Sequence, residues 1–221
     1  MVLFVVGFVI VLPQPPAPDA SAASVASYYT DHQDAIRIAV LIISAALLFF
    51  IWFLGSLSSA LRLAIGSPRL PMVAFAGGII GAAFFLIALT VTATAALRPE
   101  ETSPEVVRAL NDIGLVVGAP AAPGFVALFA ATALVIARSN ALPQWLCAVN
   151  VVGAVASLGA LGAMFTTTGA FAADGALGLF VPVTLGFIVP IAADSIVLYR
   201  HVGSAGLSDR TSGAAGRAPG Q

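Results

Sequence analysis

The chain has 221 residues, of which 60% are hydrophobic and only 9% charged, against roughly 25% charged in a soluble domain. Nine arginines and ten acids cannot supply the polar skin that a water-soluble domain of this size needs, and a mean hydropathy of +1.05 excludes disorder over most of the chain. A net charge of −1 and an isoelectric point near 6.0 leave no basic footprint for nucleic acid, so the solvent that remains is lipid.

Crossing a hydrocarbon core takes about 20 helical residues. Five apolar stretches are long enough, near residues 36–61, 70–97, 113–137, 142–165 and 177–199. A sixth, 2–12, would reach roughly half-way at 1.5 Å per residue. Pro13, Pro15, Pro16 and Pro18 end it sharply, as a helix exit does. That favours a truncated first membrane helix whose start lies upstream of Met1 over a half-helix buried against the others. The segment has no basic flank and no clear cleavage site, which argues against a signal peptide.

Between these stretches, two outer loops carry helical signals. Val25, Tyr28, Tyr29, His32 and Ile36 recur at helix-like spacing, which predicts a segment lying along the membrane surface. Thr102 and Glu105 have the spacing of a capping box, with Pro104 early in the helix that follows. The tail, residues 201–221, is rich in Gly, Ser and Ala and is expected to be disordered.

The arginines set the orientation. Arg62, Arg69, Arg138, Arg200, Arg210 and Arg217 fall on one predicted side. Arg37, Arg98 and Arg108 fall on the other, among Asp19, Asp31, Asp34, Glu100, Glu101, Glu105, Asp112 and Asp174. The arginine-rich side is then cytoplasmic, and six crossings place both termini there. A five-crossing arrangement changes only the placement of residues 1–12. Trp145 and Tyr199 would anchor the inner interface, and Tyr28 and Tyr29 the outer one. Trp52, deep in its helix, is expected to pack rather than anchor.

Small residues four apart, Gly77/Gly81, Gly114/Gly118, Gly153/Ser157 and Ala156/Ala160, predict close helix packing within one subunit, with dimerisation the rarer use. Pro120, Pro123, Pro182 and Pro190 are candidate kinks in the third and fifth long helices. Each removes a backbone donor, and a broken helix of that kind can line a solute site, although membrane helices also tolerate ordinary kinks. The two halves of the chain do not align in their Pro and Gly positions, which weakens an inverted-repeat transporter reading.

Asp194 is the carboxylate that stands inside an apolar span, six residues before Arg200 and so about 9 Å from that end. Two partners lie at similar depth: Asn150, seven residues beyond Pro143, and Arg62, which ends the first long helix. The trio Asp194, Asn150 and Arg62 is the candidate intramembrane polar site. It reads either as a cation or proton site or, more commonly, as a polar contact that fixes helix packing. Cys147 has no partner for a disulfide and apolar neighbours, which is the pattern of a buried structural thiol. The motifs of Ser hydrolases, zinc proteases and P-loop proteins are absent, and no histidine lies in a span.

Tyr28-Tyr29 with His32, the run Trp52-Phe53-Leu54-Gly55-Ser56-Leu57 leading to Leu61-Arg62, Gly77-Gly78 and Leu142-Pro143-Gln144-Trp145-Leu146 together resemble a group of multi-pass membrane proteins of unknown function from actinobacteria. The likeness covers roughly residues 1–200. It implies a complete first helix upstream of Met1 and carries no activity or substrate with it.

The sequence therefore predicts an all-α, polytopic transmembrane helix bundle of five full membrane helices plus a short or truncated N-terminal one, forming a single domain over residues 1–200. The expected role is that of a non-enzymatic, multi-pass integral membrane protein of the cytoplasmic membrane, with no cofactor, no metal and no nucleic-acid partner. Two rivals stand beside an undefined role. A small-solute or ion- or proton-coupled transporter using Asp194 predicts a water-filled cavity at the kinked helices. A membrane scaffold or interaction subunit predicts a closed bundle with an exposed small-residue face. The lipid bilayer is a partner by composition; a homo-oligomer, a second membrane subunit and a small ligand are left open.

Overall fold

The structure, a computed structural model, describes residues 2–13, 16–139 and 142–200. Pro15 and the predicted disordered tail, with His201, Arg210 and Arg217, lie outside the described residues. Every element among the described residues is helical. We number them α1 (Val2–Val5, running on in wider turns through Val6–Val11), α2 (Ala22–Ile65), α3 (Arg69–Ala95), α4 (Pro104–Gly118), α5 (Ala121–Arg138), α6 (Gln144–Leu158, tightening into 3₁₀ turns over Gly159–Met164) and α7 (Ala176–Arg200). Five helical segments are long and apolar enough to cross a bilayer: α2, α3, the joined pair α4–α5, α6 and α7.

The centre of the bundle is the crossing of α3 and α5. A β-carbon on Gly77 would stand 2.6 Å from the Gly124 carbonyl and 2.8 Å from the Leu128 nitrogen. One on Gly124 would stand 2.7 Å from the Gly77 carbonyl. The Gly77/Gly81 pair thus lets the two backbones touch within this subunit. Around it pack Leu54, Leu57, Leu128, Phe129, Val135, Ile136 and Leu146. Phe187 of α7 links the aromatic rings of Phe4, Phe50 and Phe125, with centroids 4.8, 5.6 and 5.0 Å away. The short α1 is seated by Phe4 in this aromatic cluster and by Gly7 against Ile43 of α2.

The stretch predicted to lie along the membrane surface is not a separate element. It is the first part of α2, a helix of 44 residues, about 66 Å long and roughly twice the thickness of a hydrocarbon core. No Gly or Pro interrupts residues 22–54, so nothing in that stretch breaks the helix. Val25, Tyr29 and Ile36 form one stripe and pack with Ala95, Ala96 and Val107 into a second small core. That packing also engages the two tyrosines predicted as outer anchors. Tyr29 is 2% exposed and donates its hydroxyl to Asn111 Oδ1 at 3.1 Å, while Tyr28 donates to the Pro13 carbonyl at 2.9 Å.

Three further expectations change. Trp52 is 70% exposed and points out of the bundle, because Phe50, Leu54 and Leu57 occupy the core-facing stripe of that helix. The capping box does not form: Ser103 stands at the start of α4, Thr102 donates to the Arg98 carbonyl, and Glu105 is exposed. The tight turn Pro99–Glu101 sets Thr102 one place too early for the cap. Pro123 produces no kink of its own. It lies in the first turn of α5, where a missing N–H removes no helical bond; the break falls at residues 119–120, with Pro120 leading into α5. Pro182 and Pro190 stand where α7 departs from regular α-helix: each follows a run of wide turns, Ala176–Phe180 and Thr184–Ile188, an irregularity of the kind that goes with a residue lacking a backbone donor.

Candidate functional site

The face of α6 toward α7 carries Asn150, Gly153 and Ser157, three or four residues apart. The face of α7 carries Gly186, Pro190 and Asp194, each four apart. Spacings of three and four put side chains on one helical stripe, and the two helices run in opposite directions. Their stripes therefore meet as a ladder. Asn150 Nδ2 donates to Asp194 Oδ1 at 2.9 Å. The ring of Pro190 lies where a β-carbon of Gly153 would stand, at 2.6 Å. Ser157 Oγ lies within hydrogen-bond distance of the Gly186 carbonyl, at 3.1 Å, and of the Gly153 carbonyl of its own helix, at 2.8 Å, so its single hydroxyl hydrogen is shared between the two acceptors. One turn further on, Gly159 faces Pro182 and the Leu177 carbonyl.

The ladder has polar ends and a close-packed middle. Asn150 is fully buried and Asp194 is 1% exposed. The Asn150 amide nitrogen is fully used, since it also donates to the Leu146 carbonyl at 3.0 Å. Two oxygens of the pair, Asp194 Oδ2 and Asn150 Oδ1, are buried with no hydrogen-bond partner among the described residues; Ser139 Oγ, at the end of α5, is a third such atom.

Of the predicted site, the structure brings Asp194 and Asn150 together and leaves Arg62 apart. Arg62 is exposed at the end of α2, beside Ser58, Ser59 and Leu63 in a shallow groove. The ion pairs among the described residues are Asp34–Arg37, Arg98–Glu101 and Arg108–Asp112, all on exposed helix or loop surface. Cys147 is half-buried rather than buried, and its thiol donates to the Ala133 carbonyl. His32 packs tilted against the Tyr28 ring, with centroids 4.9 Å apart. No group of three or more His, Cys, Asp and Glu side chains that could hold a metal occurs among the described residues.

Sequence reasoning found the two polar residues but not the partners of the prolines. Gly153 and Ser157 were visible as a small-residue pair, and Pro190 as a kink. The signal that joins them is the antiparallel register set by Asn150 and Asp194, from which Gly153–Pro190 and Ser157–Gly186 follow. No family model, curated protein or solved structure matches this chain, so the site stands on its own geometry.

Proposed function

We propose that this multi-pass protein is a non-enzymatic architectural component of the cytoplasmic membrane, a scaffold or interaction subunit, and not a carrier. The observation that supports this reading most is the burial of the Asn150–Asp194 pair, at 0% and 1% exposure, with the Asn150 amide spent on holding α6 to α7. Two surface grooves, along α5–α6 and at the end of α2, have neither Asp194 nor Asn150 in their walls. In this reading the carboxylate serves to pin α6 to α7, in place of the functional role that an intramembrane acid takes by default.

A transport reading keeps one point in its favour, the two buried oxygens without donors. The test is reconstitution of the full chain into liposomes loaded with a proton-sensitive dye, for wild type and Asp194→Asn. The architectural reading expects dye responses equal to those of empty vesicles for both proteins, in sodium and in potassium gradients. Flux above empty vesicles that Asp194→Asn abolishes would replace it with a proton- or cation-coupled carrier.

A further inference from the structure

The arginine-rich end of the bundle carries a groove of about 310 Å³ between α5 and α6. Its floor and ribs come from Ala130, Ala133, Leu134 and Ala137 on α5 and Val151 and Val155 on α6. It runs from Ala137, one residue short of the end of α5, back to Ala130, and on α6 as far as Val155. At 1.5 Å per residue that is about 10–12 Å, close to the depth of one leaflet of a hydrocarbon core about 30 Å thick. A fatty acyl chain confined to one leaflet matches a slot of this length.

The groove itself is apolar, and a charged residue follows directly on Ala137, its last lining residue on α5. Arg138 lies four residues beyond Leu134, on the same stripe of α5, and is exposed. It belongs to none of the ion pairs among the described residues. Trp145, in the first turn of α6 and 54% exposed, stands at the same end, at the level where indole rings meet headgroups. An apolar slot one leaflet deep that opens under a guanidinium complements a lipid with an anionic head. Arg offers its planar donors to a phosphodiester, and an added negative headgroup charge is attracted at this surface. We propose that the α5–α6 groove is a binding site for one anionic phospholipid, with an acyl chain along Ala130–Ala137 and the headgroup at Arg138.

The test uses the purified full chain in mixed micelles with equal amounts of phosphatidylglycerol and phosphatidylcholine of identical acyl chains, read by native mass spectrometry. One phosphatidylglycerol is expected to remain bound in about fivefold preference over phosphatidylcholine. Arg138→Gln is expected to remove the preference while total bound lipid stays the same. Ala137→Leu, at an exposed position that fills the slot, is expected to remove both lipids. A phosphatidylglycerol with a photoreactive acyl chain is expected to label residues 144–155 of the unmodified protein, a readout that needs no variant. Equal retention of the two lipids, a preference that survives Arg138→Gln, or labelling elsewhere on the chain would overturn the proposal. So would a dimer that Ala137→Leu abolishes, which would mean that a second copy fills the groove.

Discussion

Ser157 and Pro190 face each other across α6 and α7, and the serine supplies what the proline withholds. In a regular helix the Gly186 carbonyl accepts from the nitrogen four residues on, which here is Pro190 and has no hydrogen. Ser157 Oγ reaches that carbonyl from the neighbouring helix at 3.1 Å. In hydrocarbon there is no water to take this place, so a neighbouring hydroxyl is the usual remedy. Gly153 lies one turn from Ser157 and leaves room for the proline ring, so a single stripe of α6 accommodates both consequences of Pro190.

This arrangement predicts a coupled pair. Ser157→Ala should destabilise the protein by about 0.6–1.7 kcal/mol, the range of interhelical hydrogen bonds measured in membranes. Ala at 190 restores a backbone donor to Gly186, so Ser157→Ala should cost less in a Pro190→Ala background. A double-mutant cycle of unfolding in mixed micelles measures the coupling. Equal costs in the two backgrounds would show that the serine and the proline act independently.

The α3–α5 crossing predicts a sharp contrast among glycines. Gly77→Ala places a methyl group 2.6 Å from a backbone carbonyl, and neither backbone can yield without separating the helices. This variant should lose the monodisperse folded protein. Gly55 has no atom within 4 Å of the added carbon, and Gly118 meets only Ala88 Cβ at 3.9 Å. Gly55→Ala and Gly118→Ala should fold normally, with Gly55→Ala gaining up to about 1 kcal/mol from helix propensity. Size-exclusion profiles and thermal unfolding by circular dichroism distinguish these outcomes.

At the other face of the membrane, Arg37 closes the end of α3. Its guanidinium donates to the Ala96 carbonyl at 3.2 Å and to the Leu97 carbonyl, groups that the helix end leaves without internal donors. The exposed Asp34 beside it, 3.6 Å away, contributes little at a wet surface. Arg37→Gln should therefore weaken the second small core by about 1 kcal/mol, whereas Asp34→Asn should be nearly silent. Faster amide exchange over residues 95–101 in Arg37→Gln, without change in α5, is the expected signature.

The charge asymmetry makes a prediction about threading. With the arginine-rich face toward the cytoplasm, a fluorescent protein fused after Gln221 should fold and fluoresce. An alkaline phosphatase at the same position should be inactive, and one inserted in the acidic loop after Glu101 should be active. The opposite pattern would reverse the orientation.

The helices were legible because a span is a long apolar run, and five such runs stand out in the composition alone. Their ends were less so. The ladder of Val25, Tyr29 and Ile36 gives the same periodicity whether a helix lies on a membrane or packs against Ala95, Ala96 and Val107; only the tertiary partner separates the two. Trp52 failed for a related reason. In a membrane protein the outward face is as apolar as the core, so depth along a helix says nothing about which side a large ring takes. Asp194 and Asn150 were legible because polarity is costly in that setting. Arg62 shared their depth, but depth does not fix the rotation of α2, which turns it outward.

The Asn150–Asp194 contact can be separated from a functional carboxylate by what its removal costs. Asn150→Leu takes away the hydrogen bond that reaches Asp194 from α6 and leaves a buried acid without that donor. An orphaned buried polar group costs about 1–3 kcal/mol, and more when charged. Asp194→Asn keeps an acceptor for Asn150 and should change stability by less than about 1 kcal/mol. Replacing both partners, Asn150→Leu with Asp194→Leu, removes the uncompensated group together with its partner and should recover much of the loss. The expected order of stability in mixed-micelle unfolding is wild type and Asp194→Asn together, the double variant below them, and Asn150→Leu lowest. An Asn150→Leu protein as stable as wild type would mean that the pair does not hold α6 to α7, and the architectural reading of Asp194 would fall with it.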